Sequence, residues 1–344
     1  LREDVERAIR EGSRHEGMLP VVWRLVQRGL PADEILALAP LFPQPEADFR
    51  TAVLGAFAKQ EKPLIVPPLG SPENLERFTP HPFSGEAIDA LTPRDWIYGH
   101  LAIRKFVSVI GAPGGVGKTA YATTVALAIA SGRPLLGDPV HKRGKVWLFN
   151  LEDPLDEQYR RLDAAMRLHQ VKRSEIEGWL FVASGREQRL CTAIQTKERS
   201  AGLTPHVDMM IAAIKELGID VPIIDPFVKS HALNENDNSQ IDVAATAWAE
   251  VADKASCAPV LVHHFRKGGE TGADAFRGAS ALIDAARCAV ALSTMGEEEA
   301  ERLGIEAGGH VRMVRLDNAK LNLAPRPEAA TWLELVSVLI GSGD

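Results

Sequence analysis

The chain has 344 residues, 45% of them hydrophobic, a formal net charge of −7 and an isoelectric point near 5.9. That length and apolar content suffice for one domain of about 250 residues with a smaller companion, and they exclude a disordered or fibrous chain. The acidic balance excludes a protein that coats duplex DNA with its whole surface, so any nucleic-acid contact has to be local.

Cys191, Cys257 and Cys288 are far apart and show no CxxC spacing, which favours reduced, packed thiols over a disulfide or a zinc site. The longest uncharged stretches, around Lys118, are too short to cross a bilayer and no cleavable signal pattern opens the chain. A soluble cytoplasmic protein with no membrane partner is expected. An opening Leu1 suggests a piece of a longer chain.

From Arg2 to about Lys59 the apolar residues recur at helical spacing, as in Val5, Ala8 and Ile9 or Val22, Leu25 and Val26. Breaks at Gly12, Gly29-Leu30-Pro31 and Phe42-Pro43-Gln44-Pro45 divide them into three or four short helices, and Pro31-Ala32-Asp33-Glu34 is a good helix start. Residues 1–60 are therefore expected to form a small all-α module. Residues 61–95, with Pro63, Pro67, Pro68, Pro72, Pro80 and Pro82, read as a linker. From Trp96 the pattern alternates strand and helix, so 96–344 is expected to be an α/β domain with a mostly parallel twisted sheet flanked by helices. Strands are expected near 106–110, 145–150, 179–183, 221–225, 258–264, 289–293 and 310–317. Pro222 is awkward in a central strand unless it sits at the start.

The run Gly111-Ala112-Pro113-Gly114-Gly115-Val116-Gly117-Lys118-Thr119 follows an apolar strand pattern and opens a helix expected over Lys118 to Ala130, with Ala120 in its first turn. This is the context of a phosphate-binding loop, and a nucleoside triphosphate is its ligand. Glycines 114, 115 and 117 let backbone N–H groups converge on phosphate oxygens, Lys118 reaches the β- and γ-phosphates, and the Thr119 hydroxyl takes Mg²⁺. Ala112 stands where the GxxxxGK[ST] pattern has its first glycine, with Gly111 one residue early, which is read as a longer lead-in to the loop. The partition-ATPase variant of this loop needs a lysine where Pro113 stands.

The strand at Lys145 to Asn150 ends at Leu151-Glu152-Asp153-Pro154, placing an acidic pair beside the loop if the two strands are adjacent. Glu152 is the candidate general base for in-line attack by water, and capping of the next helix by Glu152 or Asp153 is the alternative. Val221-Pro222-Ile223-Ile224-Asp225 ends in a carboxylate suited to hold Mg²⁺ through its water shell, although many buried strands end in Asp at a turn. In Val260-Leu261-Val262-His263-His264 the two histidines face opposite ways, so they do not share a metal; one faces the nucleotide or is a satisfied strand-end histidine. The Gly-rich, partly basic loop 265–272 and the following Phe276-Arg277-Gly278 are expected to move with the nucleotide or to be an ordinary solvated loop.

Taken in order, GAPGGVGKT, LED, IIDPF followed by His231 and Asn234-Glu235-Asn236, HHFRK, RGASALIDAAR and AKLNLAP resemble the RepA-like replicative helicases of the RecA/DnaB type of hexameric ATPase, from about Trp96 to Trp332. The resemblance implies a RecA-like P-loop NTPase core, a homo-oligomeric ring of six by analogy with that type, ATP and Mg²⁺ at each interface, and single-stranded DNA in the channel. It implies that Lys118 and Thr119 bind phosphate and Mg²⁺, that Glu152 is the catalytic carboxylate and Asp225 the second acidic group, and that His264 senses the γ-phosphate. Arg287 aligns with an arginine finger that completes a neighbour's site, a surface ion pair being the bland alternative. Lys320 aligns with a lysine that approaches the neighbour's phosphates, while Asn322 replaces the arginine of a second finger. Lys229, Arg266, Lys267 and Arg277 are the candidates for DNA contact. The N-terminal module resembles the helical segment that follows the catalytic domain of phage and plasmid primases, which implies a primase fused upstream; a generic helical cap is the alternative. The alternative function is a nucleotide-gated assembly, loading or regulatory ATPase that does not unwind; a small-molecule P-loop kinase lacks support, because Arg287 and Lys320 fit a subunit interface better than a lid.

Overall fold

The chain divides into two compact units, Leu1–Arg77 and Phe78–Asp344. The computed structural model describes residues 35–36, 80–196, 201–265, 280–306 and 308–341. Ile35 and Leu36, directly after the expected helix start, are helical. The rest of the expected helical module, the first part of the linker, and Arg266, Lys267 and Arg277 lie outside the described residues.

Twelve strands and eight α-helices are described in the second unit. After a five-residue helix α1 (Gly85–Asp89) come β1 (Trp96–Tyr98), β2 (Ala102–Ile103), β3 (Ser108–Ala112), α2 (Lys118–Ser131), β4 (Val146–Asn150), α3 (Leu155–His169), α4 (Arg173–Ile176) and β5 (Leu180–Ser184). They are followed by β6 (Ala193–Gln195), β7 (Ala201–Leu203), α5 (His206–Leu217), β8 (Val221–Asp225), a 3-10 turn at Phe227–Ser230, α6 (Asn238–Lys254) and β9 (Val260–His264). The last are α7 (Ser280–Ala285), β10 (Cys288–Thr294), α8 (Glu297–Arg302), a 3-10 turn at Gly309–Arg312, β11 (Met313–Leu321) and β12 (Thr331–Glu334).

Eight strands form one sheet in the order β12-β11-β10-β3-β9-β8-β4-β5. The six from β10 to β5 run parallel, and β11 and β12 add an antiparallel edge. This is the expected RecA-like P-loop architecture. The central strands are apolar without alternation because both faces are covered, and every residue of β3 and β8 is buried. Helix α2 is alanine-rich and buried nearly all round, packed on β3, β4, β8 and β9 and against α3. Helix α3 is amphipathic and carries Arg160–Asp156, Arg161–Glu157 and Arg167–Asp163 pairs at i,i+4 spacing on its solvent side.

The sheet corrects two readings of the sequence. The strand carrying Glu152 is not adjacent to the P-loop strand, since β9 and β8 lie between β3 and β4. The expected longer lead-in to the loop is absent as well, because β3 runs through Ala112, which pairs with His264 in extended backbone. The first motif position therefore needs no glycine. Pro222 is tolerated in central β8 at its second position, because pairing with β9 begins only at Ile223↔Val260. The short pairs β1-β2 and β6-β7 and the edge strand β12 are too brief and irregular to carry a readable period.

Candidate functional site

At the carboxyl end of β3 the loop 113–117 leads into α2. Gly115 (φ +83°) and Gly117 (φ +96°) adopt the left-handed backbone that turns the loop's N–H groups toward one side. Lys118 is buried and its Nζ donates to the carbonyls of Ala112 (3.1 Å) and Pro113 (2.8 Å), so the ammonium lies inside the loop's own curve. Burial lowers its pKa, and the charges of Asp225 and Glu152 oppose that shift.

Thr119, one residue on, donates through Oγ1 to Asp225 Oδ2 at 2.7 Å. Asp225 is the buried last residue of β8, and burial raises its pKa against the opposing effects of the Thr119 hydrogen bond, His264 and Lys118. A hydroxyl and a carboxylate in contact at the foot of a phosphate loop are the hard oxygen ligands that Mg²⁺ takes alongside phosphate oxygens and water, so the residues fit a magnesium nucleotide.

Glu152 sits on a tightly held turn. Asn150 Oδ1 accepts from the backbone N–H groups of Glu152 (2.9 Å) and Asp153 (2.7 Å), and Leu151 N–H donates to Asp225 O (2.7 Å). Arg186 Nε donates to Glu152 O and Ser184 Oγ to Asp153 O, both at 2.7 Å. A Cβ at Gly185 would lie 2.7 Å from the Leu151 backbone, so glycine lets the β4 and β5 ends approach. The two carboxylates then part in role. Asp153 pairs with Arg161 at 2.6 Å, whereas Glu152 is exposed and makes no side-chain hydrogen bond or ion pair among the described residues. Neither caps α3, whose N-cap is Pro154. Although two strands away from β3, Glu152 lies close enough to act electrostatically on Lys118, Asp225 and His264.

The two histidines diverge as the strand period requires. His264, exposed and opposite Ala112 in the ladder, feels Lys118, Asp225, Glu152 and Glu235; burial first and Lys118 second lower its pKa. His263 is turned toward Phe227 (ring centroids 6.1 Å), and burial holds its pKa at about 4.

Arg287 belongs to the other end of the sheet. Its N–H bonds Val107 O before β10 begins, five residues short of Ala112 along the neighbouring strand. At ~3.3 Å per residue that is about 16 Å from the mouth of its own loop. Its side chain is exposed. Lys320 is nearby, but its Nζ donates to the carbonyls of Ile283 (2.8 Å) and Asp284 (2.9 Å), closing the last turn of α7. Lys229 is exposed on the 3-10 turn that follows Asp225.

Asn150, Arg161, Ser184, Gly185 and Arg186 support the Glu152 turn and went unnoticed in the sequence; only Asn150, two residues before Glu152, had a local signal, as an Asx-turn residue. A cavity of about 550 Å³ also opens beside the loop at Gly117 and Ala120, walled by Leu135, Ala165, Trp332 and Leu335 among others. A Cβ on Gly117 would lie 2.8 Å from the Leu335 side chain, so the segment after β12 packs directly on the loop.

A phosphate loop, a Thr–Asp pair, a free carboxylate and a strand-end histidine at the carboxyl edge of one mostly parallel sheet define a P-loop nucleotide-binding protein of the RecA-like class. Residues 72–270, more than half of the chain, match the family model described as AAA domain, and the chain belongs to that family. Among solved structures, one described as a DnaB-like replicative helicase and its interactions with primase aligns with 68% of this chain and 56% of its own, at 15% identity and a TM-score of 0.46. Among the described residues no helix is long and apolar enough to cross a membrane.

Proposed function

We propose that the chain is an ATP-hydrolysing, ring-forming translocase on single-stranded DNA, the helicase part of a plasmid- or phage-type replication protein that acts as a hexamer and has a primase-like portion upstream. One observation carries the reading. The carboxyl edge of the sheet gathers Lys118, Thr119, Asp225, Glu152 and His264, while the exposed Arg287 stands about 16 Å away at the opposite edge, where a second copy's site can reach it and its own cannot.

In this reading the loop N–H groups and Lys118 bind the β- and γ-phosphates, and the nucleoside lies in the cavity bounded by Trp332 and Leu335. Thr119 and Asp225 hold Mg²⁺, which neutralises phosphate charge when bound. Glu152 takes the proton of the attacking water, its carboxylate free and its backbone fixed by Asn150. His264 hydrogen-bonds the γ-phosphate. A neighbour's Arg287 meets the charge that spreads over the transferred phosphoryl group. Lys320 is a weaker second contributor because its donors are engaged on α7. Lys229, with Arg266, Lys267 and Arg277, faces the DNA.

The test is the ATPase rate with and without single-stranded DNA, with native mass measured beside it. Single strands should stimulate hydrolysis, and Lys118→Ala or Glu152→Gln should lower turnover by about 100-fold or more. An ATPase indifferent to single strands would overturn the DNA part of the reading.

A further inference from the structure

Two histidines on the protein side of the acid cluster have no part in the chemistry above. Their rings flank Phe227, His231 with a centroid separation of 4.8 Å and His263 with one of 6.1 Å. Phe227 is fully buried at the start of the 3-10 turn that bears Lys229, and His263 adjoins His264 on β9.

The hydrogen bonds determine one tautomer. Leu233 N–H donates to His231 Nδ1 at 3.2 Å, so that nitrogen is an acceptor and the proton of the neutral ring is on Nε2. His231 Nε2 is buried with no partner among the described residues, and the same holds for His263 Nδ1. A buried donor without an acceptor is costly, and so is a buried acceptor without a donor. With its own proton on Nε2, His263 offers at Nδ1 the acceptor that His231 lacks. The two unsatisfied atoms are complementary, and the rings that carry them lie against the same phenylalanine. Ser230, at the far end of the turn, is anchored, since its Oγ accepts from Trp248 Nε1 (3.3 Å) and its carbonyl from Thr192 N–H (2.6 Å) and Oγ1 (2.9 Å).

We propose that His231 and His263 are a nucleotide-dependent latch, in which a hydrogen bond from His231 Nε2–H to His263 Nδ1 is made in one ligand state and broken in another. It links the end of β9 to the Phe227–Ser230 turn, with Ser230 as the fixed point. The latch extends the reading of His264 as the residue that meets the γ-phosphate: a shift of β9 at His264 moves His263 and is passed through the contacts of the three rings to the segment bearing Lys229. Both histidines are positioning residues and touch no ligand.

Hydrogen exchange read by mass spectrometry, with and without the nonhydrolysable analogue adenylyl imidodiphosphate and Mg²⁺, tests this directly, because the Leu233 amide is bonded to His231. In the wild-type protein the analogue should change exchange across residues 227–237 by about threefold or more. His231→Phe and His263→Phe should each remove that change, the double variant should add nothing, and analogue affinity should stay within about twofold in all three. His263→Gln, which keeps an acceptor, should retain the response, and His263→Leu replaces His263→Phe should the latter not fold. A response that persists in either single variant, additive losses, or no response in wild-type protein with analogue bound would each overturn the latch. His264→Ala separates the two ideas: a response that survives it but is lost in His263→Phe leaves the latch standing and removes His264 as the trigger.

Discussion

Glu152 and Asp153 are chemically near-identical neighbours, yet one is committed to Arg161 and the other is left free beside Lys118 and Asp225. The division comes from the turn, since Asn150 holds both N–H groups and aims the side chains apart. His231 and His263 carry a measurable signature of their own. Burial lowers both from the ordinary histidine value near 6.5 to about 4. Well above pH 6.5 both rings are neutral, folded or unfolded. As pH falls from 6.5 toward 4 the unfolded chain takes up protons that the folded chain refuses, so stability falls through that window, by on the order of 3 kcal/mol per histidine at its lower end. Thermal melts at pH 7.5 and pH 5 should show a lower midpoint at pH 5, and His231→Phe with His263→Phe should shrink the difference. An unchanged difference would remove the two rings as its cause.

At the scale of elements, the site depends on strand ends brought together by close approach. Gly185 lets the end of β5 lie against Leu151, and Gly185→Ala should push the Glu152 turn away without touching the phosphate loop. The expected result is a kcat reduced by about tenfold or more with nucleotide affinity unchanged, checked by steady-state kinetics beside equilibrium binding. Equal losses in both would mean that the damage had spread to the loop. The segment after β12 is the other element that matters, because Leu335 on Gly117 and Trp332 in the cavity wall bring the end of the described chain to the phosphate loop. Trp332→Ala should raise KM for ATP several-fold with little change in kcat, as expected for a wall that binds ground and transition states alike.

For the whole molecule, the placement of Arg287 is decisive. In the proposed ring, Arg287 at the amino edge of the sheet and a phosphate loop at the carboxyl edge would make each copy half of two sites. Arg287→Ala should bind nucleotide normally and turn over poorly, and mixing it with Lys118→Ala subunits should restore part of the activity, because the mixed interface pairs an intact loop with an intact arginine. Failure to rescue over a range of mixing ratios would deny the arginine its role in a neighbour's site.

Much of this was legible in the residues alone. The phosphate loop could be read because its chemistry is local: glycines, lysine and threonine at fixed spacing between a strand and a helix, and the strands ending in Asp225 and His264 could be read because buried parallel strands are continuous apolar runs. Other features have no local signal. That β9 and β8 separate β3 from β4, that Ala112 suffices where a glycine was expected, that Lys320 closes a helix, and that His231 and His263 meet at one phenylalanine all depend on which segments become neighbours. The sequence by itself determined the loop, its ligand class and the alternation of strand and helix, since those follow from spacing along the chain. Only the tertiary structure decided which carboxylate is free, which histidine faces the loop and which end of the sheet bears Arg287, because those are set by contacts between residues far apart in sequence.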